Sequence, residues 1–238
     1  GVIPKQVGLV VAIESTGYGG APTARQSQIL PGWSVEKAKR MGASMIKLLV
    51  YYHPGSPTAP GIEAFVRQAV DECTRHDLGI MLEPLSYSLD ASKILSSAEK
   101  RFVATETARR LVIPGVDVLK AEFPLEITED PDEKDWAAAC TEISAVTSAP
   151  WIVLSAAVNF EIYLRQVEIA CRAGSSGSAV GRAVWQETVR MDGEARLAFL
   201  RTTGRQRLAR LSGLCSELGK PISDFYSADA PFDWYKTY

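Results

Sequence analysis

The sequence has little histidine and no pattern of paired cysteines. His53 and His76 are the two histidines among 238 residues, and none of the four cysteines belongs to a CxxC pair. A histidine-rich zinc site cannot be assembled from these residues without help from carboxylates or thiolates. GxGxxG, P-loop and GxSxG motifs are absent as well. We therefore expect no metal site and no cofactor, and we regard hydride transfer, nucleotide hydrolysis and serine hydrolysis as disfavoured.

The chain also lacks an excess of positive charge and long apolar runs. Its 26 Lys and Arg against 28 Asp and Glu give a net charge of −2, which argues against a surface for nucleic acids or anionic membranes. Apolar stretches such as residues 7–13 and 152–158 fall far short of the roughly 18 to 20 residues that a membrane helix needs. We therefore expect a cytoplasmic protein with neither nucleic-acid nor membrane partners.

Short apolar runs alternate with longer segments of helical period, which is typical of β/α units around a parallel sheet. The predicted strands are residues 7–14, 45–52, 79–85, 116–123, 151–157 and 177–184. The predicted helices are residues 35–41, 62–73, 98–111, 134–147 and 161–173, followed by one or two more over 194–218. No linker or repeat divides the sequence, so we predict one domain over residues 1–238, with C-terminal helices and a tail over 194–238.

Parallel strands joined through helices leave two architectures open, a doubly wound open sheet and a (β/α)8 barrel. A barrel needs about 200 to 250 residues, which the length of 238 residues allows, but six strands are predicted rather than eight. We therefore expect an α/β fold of the (β/α)8 barrel type, with the first one or two β/α units missing from this chain.

Three predicted strands carry a charged residue among apolar neighbours: Lys47, Glu83 and Lys120. If the sheet closes into a barrel, these side chains project inward near the carboxyl ends of the strands, where barrel active sites lie. A buried ion network that only stabilises the barrel is the structural alternative. We favour catalysis, because burying charges costs several kcal/mol per ion and is a poor source of stability. Strand alternation places Glu122 on the same face as Lys120, where we expect it to balance the lysine charges.

Two lysines beside a carboxylate indicate a particular chemistry. A lysine must be neutral to attack a carbonyl, and a lysine side chain in water is almost entirely protonated near neutral pH. Burial and a second ammonium group both favour the neutral amine, which is the known route to a Schiff-base lysine. The trio therefore predicts imine formation with acid–base proton transfer. Spacing alone leaves open which lysine is the nucleophile.

Several motifs, taken in order along the chain, resemble a known family. They are residues 46–52 (IKLLVYY), 117–124 (DVLKAEFP), 154–158 (LSAAV) and 181–185 (GRAVW), together with 14–18 (ESTGY). These motifs are similar to successive strands of the tagatose 1,6-bisphosphate aldolases, class I Schiff-base enzymes on a (β/α)8 barrel. The resemblance runs from about residue 7 to residue 185 and so covers most of the chain.

The resemblance implies a role for each matching residue. Lys120 would form the Schiff base, Glu83 would handle the proton of the C4 hydroxyl, and Lys47 would be the neighbouring ammonium that favours the neutral amine. The residues that would contact substrate phosphate are Ser155, Ala156, Gly181 and Arg182. The implied reaction is cleavage of a ketose 1,6-bisphosphate, such as tagatose 1,6-bisphosphate, to dihydroxyacetone phosphate and glyceraldehyde 3-phosphate. A homo-oligomer is expected.

The sequence departs from the family pattern in two ways. The family's first two strands, which supply an Asp and a Gln near the substrate, have no counterpart here, and Ala157 stands where the family usually has glycine. Two alternatives therefore stay open. The similar sulfofructose 1-phosphate aldolases would cleave 6-deoxy-6-sulfofructose 1-phosphate to dihydroxyacetone phosphate and sulfolactaldehyde. A non-catalytic regulator that binds sugar phosphates would keep the pocket without turnover.

Overall fold

The computed structural model describes residue 4 and residues 6–156, 158–227 and 232–236. Its strands, in chain order, are β1 (Val10–Ala12), β2 (Gly19–Ala21), β3 (Ala24–Gln26), β4 (Met45–Tyr51), β5 (Gly79–Leu85), β6 (Val118–Ala121), β7 (Trp151–Leu154) and β8 (Gly177–Ala179). Six of them form one parallel sheet in the order β1-β4-β5-β6-β7-β8, and β2 and β3 pair as an antiparallel hairpin.

Helices connect the strands of the parallel sheet. The α-helices are α1 (Val35–Arg40), α2 (Ala59–Arg75), α3 (Ser97–Leu111), α4 (Glu133–Val146), α5 (Phe160–Arg172), α6 (Arg182–Trp185), α7 (Gly193–Phe199) and α8 (Arg205–Leu218). Short 3₁₀ helices cover Gln186–Arg190, Ile222–Asp224 and Trp234–Lys236, and a π-helical turn covers Leu200–Gly204. The predicted helices over 194–218 are confirmed, because α7, the π turn and α8 follow one another there.

The helices cover one face of the sheet. In β4, Ile46, Leu48 and Val50 are fully buried, whereas the alternate residues of the strand are half-buried on the opposite face. The fully buried residues belong to one core with the apolar stripe of α2, which includes Val66 and Cys73. We call the opposite face the inner face of the sheet.

Local sequence signals set the ends of the helices. Ser96 and Glu99 form a capping box at the start of α3, in which each side chain accepts a hydrogen bond from the backbone N–H of the other residue. The Asn159 side chain caps α5 by accepting a hydrogen bond from the N–H of Glu161. Gly174, with φ of +104°, follows α5, which confirms the predicted C-terminal stop.

The six predicted strands all take part in the parallel sheet, but the last is wrong in its second half. It was expected over 177–184, whereas β8 ends at Ala179 and α6 begins at Arg182. Ala183 and Val184 are buried as helix residues, and a short apolar run does not by itself distinguish a strand from a helix. The expected strand over 151–157 ends at Leu154, and Ala157 lies outside the described residues.

The sequence does not predict the hairpin of β2 and β3. Gly20 pairs with Arg25 in this hairpin. The φ of Gly20 is +78°, and an added Cβ would lie 2.5 Å from the carbonyl oxygen of Ala24. The turn therefore requires glycine at this position.

In the part of the chain that the structure describes, no helix combines the length and the apolar character needed to cross a membrane. The single domain over residues 1–238 stays a prediction.

Gly115 provides a test of how β6 is positioned. Its φ is +95°, and an added Cβ would lie 2.5 Å from Cγ1 of Val70 on α2. We expect Gly115→Ala to lower the free energy of unfolding by about 1 to 3 kcal/mol, measured by urea denaturation, because both the backbone and the packing oppose the methyl group.

Gly61 of α2 supplies the matched control. No atom lies within 4 Å of its added Cβ, so Gly61→Ala should stabilise the protein by about 0.4 to 1 kcal/mol. Equal unfolding free energies for Gly115→Ala and the unmodified protein would contradict this account of the loop before β6.

Candidate active site

Four charged side chains meet on the inner face of the sheet: Glu14, Lys47, Glu83 and Lys120. The Lys120 Nζ lies 2.8 Å from Glu83 Oε1, and the Lys47 Nζ lies 3.5 Å from Glu83 Oε2. Lys47 also forms an ion pair with Glu14 Oε1. These residues, which we call the charged cluster, thus form a row in which carboxylates and ammonium groups alternate.

Strand register explains why the cluster forms. Met81 pairs with Val118 and Leu82 with Leu119, so Glu83 and Lys120 come next on neighbouring strands. Lys47 comes from β4 on the other side of β5. Because side chains at alternate positions share a face, the three predicted residues converge from three adjacent strands. Sequence reasoning therefore brought together the same three residues that the structure does.

The cluster is largely shielded from water. The exposed fractions of the side chains are 8% for Glu14, 11% for Glu83, 19% for Lys47 and 22% for Lys120. At this depth an unpaired charge would be strongly destabilising. Each ion of the cluster has an oppositely charged neighbour, so the row compensates its own desolvation while leaving both amines close to one carboxylate.

Sequence reasoning missed Glu14 as a member of the site. The residue follows β1, and its backbone forms an antiparallel bridge with Ile29. Its Oε2 atom is buried without a hydrogen-bond partner. The sequence signal was present, since Glu14 is the first charged residue after the apolar run 7–13, but no role followed from the motif that contains it.

Glu122 does not balance the lysine charges as expected. Its Oε2 accepts hydrogen bonds from the N–H and the hydroxyl of Ser86, at 2.6 and 2.7 Å, and it lines a small cavity together with Ala104 and Ala108 of α3. Strand β6 ends at Ala121, so alternation no longer governs the next side chain. Burial raises the pKa of the Glu122 carboxyl above its ordinary value.

The predicted phosphate-binding residues lie in the loops after β7 and β8. Leu154 pairs with Ala179 on these neighbouring strands, so both loops leave the same edge of the sheet. Ser155 is buried, and Ala156 occupies a turn with φ of +42°. Gly181 and Arg182 precede and begin α6, and Arg182 is exposed. The structure thus places all four residues at the carboxyl edge of the sheet that also holds Lys120.

Within the described residues, no group of three or more His, Cys, Asp or Glu side chains is arranged to hold a metal ion. The charged groups of the cluster are two amines and two carboxylates.

Comparison with known families identifies relatives along most of the chain. A family model described as DeoC/LacD family aldolase matches residues 3–187. Tagatose 1,6-diphosphate aldolase 2 of Streptococcus mutans is 30% identical over 245 residues, covering 92% of this chain and 74% of the relative. Tagatose 1,6-diphosphate aldolase 1 of Enterococcus faecalis is 30% identical over 234 residues, covering 88% of this chain and 71% of the relative.

Solved structures share the fold. An archaeal fructose 1,6-bisphosphate aldolase gives a TM-score of 0.61 at 23% identity and covers 89% of this chain and 74% of the other. Fructose-bisphosphate aldolase of Plasmodium falciparum gives a TM-score of 0.68 at 16% identity, with coverages of 89% and 70%. Together with the parallel sheet and its helices, these similarities confirm the expected α/β barrel fold.

Glu122 generates a prediction about stability and pH. Its folded-state pKa lies above the ordinary value of 4.5, so its contribution to stability is fully present below that value and is lost as pH rises through the folded-state pKa. Glu122→Gln keeps an acceptor for Ser86 and removes the charge. We expect this variant to unfold at a higher temperature than the unmodified protein at about pH 8, and the difference to vanish at about pH 4.

Glu142 offers a control of opposite sign. Its hydrogen bond with Arg101 lowers the pKa of its carboxyl, so its contribution is present at neutral pH and is lost as pH falls. Glu142→Gln should therefore unfold at a lower temperature than the unmodified protein at about pH 8. A Glu122→Gln variant that behaves in the same way would contradict the assignment of Glu122 as a carboxylate whose charge is destabilised by desolvation.

Proposed function

The chain belongs to the DeoC/LacD family of aldolases, and from this premise we propose that it cleaves a ketose 1,6-bisphosphate, such as tagatose 1,6-bisphosphate, to dihydroxyacetone phosphate and glyceraldehyde 3-phosphate. The enzyme class expected from the sequence, a class I aldolase, is confirmed by the family and by the relatives named tagatose 1,6-diphosphate aldolase. The alternative of a non-catalytic regulator is correspondingly disfavoured.

One observation carries the proposal: a single buried carboxylate contacts two half-buried amines. Glu83 reaches Lys120 with one oxygen and Lys47 with the other. Lys47 is placed between two carboxylates, those of Glu14 and Glu83, and forms an ion pair with each. Lys120 has one carboxylate partner, to which it can transfer a proton over 2.8 Å. This difference supports Lys120 as the nucleophile and Lys47 as the fixed cation.

The steps follow from these positions. The neutral Lys120 amine attacks C2 of the ketose to give a carbinolamine. Glu83 returns the proton that it accepted from Lys120 to the carbinolamine hydroxyl, which leaves as water and gives a protonated imine. Glu83 accepts the proton of the C4 hydroxyl while the C3–C4 bond breaks, and the electron pair of that bond moves into the imine to give an enamine. The aldehyde product leaves. Protonation of the enamine at C3 and hydrolysis of the imine then release dihydroxyacetone phosphate and restore the amine.

The loops after β7 and β8 suit the C1 phosphate. Strand β7 pairs with β6, which carries Lys120, and C1 is bonded to the carbon that Lys120 attacks. Barrel enzymes often hold phosphate at the last two strands, and a guanidinium matches a phosphate group well. We assign Ser155, Ala156, Gly181 and Arg182 to this role. A cytoplasmic location and a homo-oligomeric state belong to the same proposal.

Replacing the proposed nucleophile tests the mechanism. Lys120→Arg keeps a cation but has no primary amine, so we expect kcat for cleavage of tagatose 1,6-bisphosphate to fall by more than about a thousandfold. The exposed pair of Lys39 with Asp77 on the surface makes Lys39→Arg the control, which should retain activity. Near-normal cleavage by Lys120→Arg would show that another amine acts.

Substrate comparison tests the head group. The same assay of dihydroxyacetone phosphate release is applied to tagatose 1,6-bisphosphate, fructose 1,6-bisphosphate and 6-deoxy-6-sulfofructose 1-phosphate. We expect a bisphosphate to give the highest kcat/KM. A clear preference for the sulfonated sugar would replace the proposed substrate with the sulfosugar alternative and leave the Schiff-base chemistry in place.

Glu14 is a positioning residue in this scheme, because it acts on substrate through Lys47. Glu14→Gln removes a charge-assisted contact worth about 1.5 to 3 kcal/mol, so we expect kcat to fall by about ten- to a hundredfold with a smaller change in KM. Glu36→Gln on the exposed surface of α1 is the control. An unchanged kcat in Glu14→Gln would mean that Glu83 alone holds Lys47 in place.

A further inference from the structure

Arg25 of the β2–β3 hairpin is held by three aromatic rings. Its guanidinium carbon lies 4.2 Å from the ring centre of Tyr18, 4.7 Å from that of Tyr87 and 5.1 Å from that of Tyr51. Its Nε donates a hydrogen bond to the carbonyl oxygen of Pro22 at 3.0 Å. The three rings and this hydrogen bond therefore hold the cation of the hairpin in place.

The aromatic rings place Arg25 over the mouth of the barrel. Tyr51 is the last residue of β4 and shares the inner face with Lys47. Tyr87 comes two residues after the end of β5, the strand that carries Glu83. Arg25 thus lies at the carboxyl ends of the strands that supply the charged cluster, where substrates of barrel enzymes bind.

The charge of Arg25 is not cancelled by an acidic partner. Among the described residues no carboxylate forms a salt bridge with Arg25, and the hydrogen bond that its guanidinium makes is the one from Nε. The donors on its two terminal nitrogens therefore remain available. A stacked guanidinium keeps its planar fork free, and that fork matches the oxygen atoms of a phosphate or sulfonate in a bidentate arrangement.

Arg25 opens onto a cavity of about 300 Å³. The charged and hydroxyl side chains that line this cavity with Arg25 are Ser86, Tyr87, Ser88, Lys93, Lys100, Glu122 and Glu126. Lys93 already pairs with Asp90, and Lys100 lies 3.8 Å from Glu126. Glu122 accepts hydrogen bonds from Ser86. Since Lys93 and Lys100 each have a carboxylate partner, Arg25 is the cation lining this cavity that has none among the described residues.

Arg25 lies at a suitable distance from the reacting centre. Tyr51, on which its guanidinium stacks, pairs with Leu85, two residues beyond Glu83 on β5. At about 3.3 Å per residue, this pair lies roughly 7 Å farther along the strands than Glu83. A ketose bound to Lys120 through C2 carries four more carbons, which extend its C6 end by a similar length.

We propose that Arg25 binds the anionic group on C6 of the substrate, a phosphate or a sulfonate. The assignment rests on the proposed function, and it is separate from the C1 phosphate site in the loops after β7 and β8. Arg25 thereby determines whether the enzyme requires an anionic group on the part of the ketose that leaves as the aldehyde product.

Two substrates separate this role from a structural one. Arg25→Met retains an unbranched apolar chain that can pack on the rings, but it loses the charge and the fork. We expect its kcat/KM for a ketose 1,6-bisphosphate to fall about a hundredfold, and its kcat/KM for the corresponding ketose 1-phosphate to change less than about threefold, because that substrate has no charge at C6. Arg182→Met, at the proposed C1 site, should reduce both by similar factors.

The outcomes distinguish the two levels of the proposal. Equal losses on both substrates in Arg25→Met would overturn the assignment and make Arg25 a clamp for the hairpin. A selective loss with the sulfonated sugar rather than the bisphosphate would support Arg25 and identify the group as sulfonate. If Arg25→Met does not fold, Arg25→Lys should show the same selective loss to a smaller degree, and an unselective loss there would also overturn the assignment.

No cleavage of any of these substrates by the unmodified protein would refute the proposed function itself, and with it the role of Arg25.

Discussion

The site depends on the contact of one buried carboxylate with two amines. Glu83 joins Lys120 at 2.8 Å and Lys47 at 3.5 Å, and Glu14 adds a second carboxylate on the far side of Lys47. Charges at this depth cost several kcal/mol each to desolvate, so none of the four would persist alone. Their alternation in sign keeps the row together, and the unequal number of partners makes the two lysines chemically different.

The fold provides what this row requires. Three adjacent parallel strands supply three of the charges at neighbouring register positions, and the turn after β1 supplies the fourth. Helices on the other face bury the apolar side chains and fix the strands. The loops at the carboxyl edge carry the groups that we assign to the two ends of a ketose. Ser155 and Arg182 are assigned to the C1 phosphate, and Arg25 of the hairpin is assigned to the anionic group on C6.

Periodicity predicted the parallel sheet and brought Lys47, Glu83 and Lys120 to one face, because alternation is a local rule that holds within regular strands. The rule failed for Glu122, since β6 ends one residue earlier and the side chain accepts hydrogen bonds from Ser86 in the loop after β5. It also failed after β8, where an apolar run folds as a helix. Glu14 and the hairpin arginine escaped prediction because their roles come from contacts between segments distant in sequence. Such contacts leave no periodic signal.

The most direct measurement of the central claim is the position of the covalent bond. The protein is incubated with dihydroxyacetone phosphate, reduced with borohydride, digested and mapped by mass spectrometry. Because Lys47 lies between two carboxylates and Lys120 faces one, the account predicts a reduced adduct on Lys120. An adduct on Lys47, or none on either lysine, would contradict it.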